Sequence, residues 1–522
     1  MPGVAWWDVV AGAGVACVPP RVVTTLRGVV VAAIMTHMEW LGALEAEGYL
    51  GARWLVQRGI ALVYVLAFVN VLHQWRPLLG DAGLTPAREV LEGTSWRRAP
   101  SLFHLRYSDR LATALAWLGL VVAVSLLLGL PQAGPVWAPM AAFAALWALN
   151  LSFVTIGRAF YAFGWESLLL EAGFLAIFLG SSEVAPSWVV LLAYRWLLFR
   201  VEFGAGMIKL RGDACWRQLT CTEHHHETQP LPNPLSRRFH HLPRWQHRVE
   251  VGANHVTQLV VPLALFLPQP VAGVAATIMI VTQAYLMLSG NFAWLNLLTI
   301  VLATAALPDD WLGWLPVGAP TAATPTWFAV LTVALGLLVV WRSWQPIANL
   351  LSPRQRMNAS HDPLRLVNSY GAFGSVTRQR YELVIEATAD DPASPQARWR
   401  AYELPAKPTD PERRPPQIAP YHLRLDWLLW FAAMSPSPDR HRWFVRLLQA
   451  LLAADPQVLR LLRHDPLDGA RPVAVRVRRG LYQFTTRAQK RSTGRWWHRG
   501  ELQVVIPPVR AREHRRPGRS DG

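Results

Sequence analysis

The stretch YRWLLFRVEFGAGMIKLRGD, residues 194–213, is apolar enough for a membrane helix yet carries Arg195, Arg200, Glu202 and Lys209. Arg195, Glu202 and Lys209 recur at intervals of seven, which brings them to nearly one face of a helix. Upstream, Arg158, Glu166 and Glu171 lie around the preceding apolar segment. Charge inside a bilayer is expensive, so such groups face the interior of a bundle and pair there. Gly204 and Gly206 permit a close neighbour beside them. Two readings follow. In one, these seven side chains form an ion-pair network that fixes helix register, with Lys209 snorkelling to the interface. In the other, they line a polar cavity where Lys209 is a titratable group, since Lys can lose its proton in a desolvated site whereas Arg cannot.

Outward from this helix the apolar text repeats, at about residues 55–75, 110–130, 135–156, 166–182, 187–208, 253–268, 270–289, 292–307 and 326–344. A helix needs about 20 residues to cross the hydrocarbon. Several segments reach that length, while 253–268 and 292–307 are short and suit re-entrant or tilted helices. Trp75, Trp137, Trp188, Trp311, Trp314, Trp327 and Trp344 stand near segment ends, as interfacial anchors do. The whole chain of 522 residues is 52% hydrophobic and 16% charged. Ordinary soluble domains carry about a quarter charged residues. Disordered, collagenous and small disulfide-framework classes are excluded. The expectation is a polytopic α-helical membrane domain over 51–350, an N-terminal extension over 1–50, and a soluble α+β domain over 351–510. In the extension, Pro19, Pro20 and the glutamates at 39, 45 and 47 break up the apolar text, and no signal-peptide pattern appears.

In the last part, YELVIEA (381–387) and WRAYELPA (399–406) read as paired strands. Residues 423–434 and 443–454 have helical periodicity, and 472–486 and 502–508 return to strand character. Residues 511–522 read as a basic disordered tail. Residues 346–522 hold 30 basic and 16 acidic groups, so +14 of the net +17 resides there. Beside so apolar a bundle, this charge suits anionic lipid. Nucleic acid is not expected, because the arginines are dispersed and no recognition pattern occurs. Only three of the 51 basic residues are Lys, which reads as a coding bias towards Arg. Lys407 and Lys490 fall in loops, whereas Lys209 closes the charged stripe.

Residues 211–250 form a polar loop with Cys215, Cys221 and six histidines, including His224, His225, His226, His240, His241 and His247. No second thiol pair completes a zinc site, and both free thiols and a local disulfide stay open. No Gly-rich phosphate loop, GxSxG or HExxH motif occurs. Adjacent side chains on an extended loop point in opposite directions, so the histidines read as hydrogen-bonding groups, with no metal or cofactor expected.

The strings CWRQLTC (215–221), HETQPLPNPLS (226–236), FHHLP (239–243), NSYGAFGSVTRQRYELVIE (368–386) and RRPPQIAPYHLRLDWLLWFAA (413–433) resemble the lipase maturation factor family. The resemblance runs from near Gly51 to about Pro508. It implies a multi-pass membrane protein that helps secreted lipases fold and assemble, chaperone-like rather than enzymatic. Its implied partners are the lipid bilayer and secreted clients. Animal members sit in the endoplasmic reticulum membrane with a lumenal C-terminal domain; a bacterial member belongs in the plasma membrane with that domain extracytoplasmic. Cys215 and Cys221 match family cysteines, and His225, Glu227, Pro230, Pro232, Asn233, Pro234, His240 and His241 carry the loop motif. His224, His226, Arg237 and Arg238 depart from it, standing where aromatics are expected. Aromatics around Trp427, Trp430 and Trp443 are candidate client contacts, while their helical spacing in an apolar stretch reads many of them as core residues. FGAGMIKLRGDACW (203–216) is also similar, more distantly, to vitamin-K-dependent gamma-glutamyl carboxylase. By that likeness Lys209 would be a base acting on a lipid-soluble substrate.

Overall fold

A computed structural model describes residues 42–511. Most of the N-terminal extension and the basic tail from 512 onward lie outside the described residues. Helices form on the apolar text: α1 (Leu50–Leu79), α2 (Asp109–Leu128), α3 (Trp137–Ile156), α4 (Gly164–Ala176) and α5 (Trp188–Arg211). After the loop come α6 (Thr222–Thr228), α7 (Arg244–His255), α8 (Val271–Ser289), α9 (Leu295–Ala303) and α10 (Thr326–Arg342). A π turn, Val256–Val260, and a 3-10 turn, Val261–Phe266, prolong α7. Local chemistry sets the ends. The Ser108 hydroxyl caps α2 by accepting from Leu111 N at 3.1 Å, and Gly129 closes it at φ +87°.

Among the described residues, six helices are long and apolar enough to cross a membrane: α1, α2, α3, prolonged α7, α8, and α10 with its continuation to Leu351. The chain is an integral, multi-pass membrane protein. The expected segment 166–182 is shorter than its apolar run suggested, and 292–307 is short as expected. α4 has 13 residues and Leu295–Ala306 forms a short apolar helix, so neither reaches across at 1.5 Å per residue. Both are buried along most of their length and act as inner struts. α5 has 24 residues, long enough to cross, but its five charges set it apart from the apolar six. Trp137, Trp314 and Trp344 are exposed as anchors should be, whereas Trp75 is buried among Phe103, Phe153 and Tyr161.

The α+β domain follows. A small pair, β1 (Ala359–Ser360) and β2 (Asn368–Ser369), leads into an antiparallel sheet of β3 (Arg380–Thr388), β4 (Arg400–Ala401), β5 (Ala474–Phe484), β6 (Trp497–Arg499) and β7 (Gln503–Arg510). The order is β4-β3-β5-β6, with β7 also paired to β5. Alternation divides the faces. Ile385 and Ala387 of β3 lie opposite Val477 and Val475 of β5 and join the main core. Val384 turns the other way, to Tyr482, Phe484 and Trp497. α11 (Arg424–Met434) packs on β3, and α12 (Arg442–Leu452) buries Trp443, Phe444 and Leu447. One continuous apolar core runs from Val56 and Leu168 in the bundle to Ile385, Leu425 and Phe444 in this domain.

Candidate functional site

The charges of α5 divide into two sets. Arg200 turns towards α4 and the α+β domain, where it pairs with Glu171 and donates to the Asn368 carbonyl at 2.6 Å. Glu171 also accepts from the Asn368 backbone N and Nδ2, each at 2.9 Å, and from the Tyr370 hydroxyl at 2.8 Å. These donors satisfy a buried carboxylate that would otherwise be costly to take out of water. Gly204 makes the approach possible, since a Cβ there would lie 2.3 Å from the Tyr370 carbonyl oxygen. The close neighbour expected beside it is therefore the strand segment at Tyr370. Gly206 does meet a helix, facing Leu259 and Gln258 of the π turn.

Glu166, one turn before Glu171, pairs with Arg424 at 2.7 Å. The Arg424 guanidinium also donates to Asn70 Oδ1 at 2.7 Å and the Phe160 carbonyl at 2.6 Å, and lies over the Tyr161 ring. Asn70 and Gln74, one turn apart on α1, donate to the His422 carbonyl at 2.5 and 2.7 Å. His422 itself is enclosed by Phe163, Trp165, Trp294 and Trp427. Burial there pushes its pKa down to about 4 and leaves it neutral. The carboxylates of α4 are thus sockets for the α+β domain. They do not pair with α5 alone, as a network within the bundle would require.

The other set is the stripe of seven. Arg195 lies against the Tyr49 and Trp188 rings, with the Leu265 carbonyl at 3.4 Å. Glu202 accepts from Gln258 Nε2 at 3.1 Å and Gln283 Nε2 at 2.6 Å. Lys209 donates to Gln258 Oε1 at 2.8 Å and Asn254 Oδ1 at 3.1 Å, and sits over the Trp216 ring. Gln283 in turn accepts from Asn296 Nδ2 at 2.6 Å. A chain of buried polar groups therefore runs Lys209, Gln258, Glu202, Gln283, Asn296 through four helical segments. Lys209 is buried and does not snorkel. The π turn advances Gln258 to where it serves both charges. Arg158, expected in the network, is exposed at a positive φ of 48° and has no acidic partner among the described residues. The turn after α3 carries it outward.

Residues 211–250 are mostly helical. Cys215 and Cys221 are bonded to each other, with Cα atoms 4.8 Å apart, just ahead of α6. α6 places His226 against α7, where its Nε2 lies 2.9 Å from Glu250 Oε1, while His247 Nδ1 lies 3.5 Å from Glu250 Oε2. His225 packs between Phe292 and Phe373, and loss of water pushes it down to about 3. Glu227 accepts from Phe484 N at 2.7 Å with His240 at 3.4 Å; burial moves its carboxyl up and His240 down to about 3. The Pro-rich turn is held from the α+β domain: Arg380 donates to the carbonyls of Glu227, Gln229 and Pro230. Pro232 and Asn233 are tied to the end of α8, through Asn291 to the Pro232 carbonyl and from Asn233 to the Leu288 carbonyl, while Pro234 begins the next turn. His241 and Arg237 both reach the Thr485 carbonyl.

Several of these groups escape a reading of charge alone. Asn70, Gln74, Gln258, Gln283, Asn291 and Asn296 are amides within or beside apolar helices, and an amide in such text is the signal that finds them. Lys407, expected in a loop, is buried against Glu382, which also pairs with Arg380; burial lowers its pKa. Trp427 and Trp443 are buried, and Trp430 is half-buried, donating to the Thr228 carbonyl, so these aromatics are packing residues and not a client surface.

Residues 51–314 match the family description "Lipase maturation factor transmembrane domain", and residues 366–507 match "Lipase maturation factor C-terminal domain". Lipase maturation factor 1 of Bos taurus is 41% identical over 509 residues, covering 88% of this chain and 90% of that protein. Its Homo sapiens counterpart is 39% identical over 519 residues, with 90% of each chain covered. Lipase maturation factor 2 of Homo sapiens is 28% identical over 599 residues, covering 88% and 82%. No solved structure matches.

Proposed function

Because this chain belongs to the lipase maturation factor family, we propose that it is a membrane-anchored folding aid for secreted proteins, lipases foremost. The observation that carries this reading is the seating of the α+β domain on one end of the bundle, through Glu166, Glu171 and the Pro-rich turn. Such seating holds a client-handling domain at a fixed height over the bilayer. The Cys215–Cys221 disulfide lies at the same end and supports an oxidising, extracytoplasmic side. In a bacterial cell the membrane is the plasma membrane. A cleft of about 580 Å³ beside the edge strand β6, lined by Asp410, Glu412, Arg495 and Arg499, offers backbone and charge to an extended client segment. A photo-crosslinker at His498 tests this: the expected result is an adduct with a newly exported lipase, and its absence with every exported lipase counts against the reading.

The second reading, a membrane enzyme with Lys209 as base, rests on one observation, the link from buried Lys209 through Gln258 to Glu202. Lys209→Arg keeps the charge and removes the titration. Full function in cells would eliminate the base and leave the folding-aid reading intact.

A further inference from the structure

His226, His247 and Glu250 converge at the junction of α6 and α7, their donor atoms all within 4.8 Å of one another. His247 and Glu250 lie one turn apart on α7, and His226 faces them from α6. Nε2 of His226 stands 2.9 and 3.2 Å from the two Glu250 oxygens, and Nδ1 of His247 stands 3.5 Å from one of them. Both imidazoles are buried, and the carboxylate nearly so. Glu166, Glu171 and Glu382 each have an Arg or Lys partner in a buried ion pair, whereas the ion pairs of Glu250, like that of Glu227, are with imidazoles only. The disulfide withdraws the nearby thiols, so the donors are two nitrogens and a carboxylate. Tyr285 donates to Glu250 at 3.1 Å, which fixes the carboxylate from outside the set.

We propose that His226, His247 and Glu250 bind a divalent cation of the zinc class, which pins α6, and the Pro-rich turn it leads into, to α7. Two imidazoles with one carboxylate are a common zinc donor set that leaves a coordination position for water. The cation supplies the positive charge that no Arg or Lys provides. It also orients the loop that Arg380 grips from the other side.

The test uses the full-length, tag-free protein in detergent, stripped with a chelator, loaded with zinc ion and desalted. Roughly one zinc per chain is expected by mass spectrometry, falling to background in Glu250→Gln and His247→Ala and unchanged in the remote His464→Ala. Cobalt ion in its place should give the intense visible absorption of a low-coordinate site in the wild type alone. Zinc should also raise the thermal midpoint of the stripped wild type by a few degrees, and not that of Glu250→Gln. Wild-type protein with background metal and no midpoint shift overturns the proposal, as does equal metal in Glu250→Gln. Should His247→Ala fail to elute as a single species, the near-isosteric Glu250→Gln and the stripped wild type decide the matter.

Discussion

Glu166 meets Arg424 where water is excluded, and breaking such a pair from one side leaves a bare charge. Glu166→Gln should therefore cost about 3–5 kcal/mol. Adding Arg424→Gln should recover part of the loss, read from thermal or denaturant unfolding in detergent. Asp426, buried and accepting from Ala406 N, behaves differently: burial raises its pKa from the ordinary 3.8 to about 6. Below 3.8 both folded and unfolded chains hold the proton, with no penalty. As pH rises through 4 to 6 the unfolded chain ionises first, and stability falls by about 3 kcal/mol. Asp426→Asn should lack that fall, so the gap in unfolding midpoint between the two proteins should change between pH 4 and pH 7. At this scale the sequence announces charges but not their partners. The stripe of Arg195, Glu202 and Lys209 shares a face as its spacing predicts, yet Glu202 and Lys209 meet side-chain amides of prolonged α7 and α8, and Arg195 the Leu265 carbonyl. Lys407 shows the converse. A polar, Pro-flanked context suggests an exposed loop, and only the fold reveals Glu382 waiting beneath it.

Among elements, α5 is the one whose small residues decide the packing. Gly204→Ala drives a methyl into the Tyr370 carbonyl, backbone that cannot turn aside, whereas Gly206→Ala meets the movable end of Leu259 at 2.7 Å. The first should cost about 1–3 kcal/mol and the second less, by thermal midpoint. Strands β3, β5 and β7 fall close to their sequence limits because short runs rich in Val, Ile and aromatic residues mark them. α6 was not legible, because THR-HIS-rich text such as TEHHHET has no apolar periodicity, and its helix is held from outside by the disulfide and Glu250. The length of α4 was not legible either: the apolar run continues past Ala176 into a turn that ends at Gly180, φ +76°.

For the whole molecule, contacts such as Asn70 to His422 join residues 352 positions apart, and no local pattern announces them. The division into a helical membrane domain and an α+β domain is legible from hydropathy. Their fusion through a common core is not. That fusion predicts that a chain cut by an inserted protease site at Arg354, an exposed position, elutes in detergent with its two parts together. The functional claim is that this joined body matures exported lipases. Its most direct measurement is the activity per unit antigen of exported lipases in cells lacking the chain, with and without its return. Return of the wild type should restore activity, and return of Glu166→Gln should restore much less at equal membrane abundance. Lipases fully active without the chain would contradict the claim.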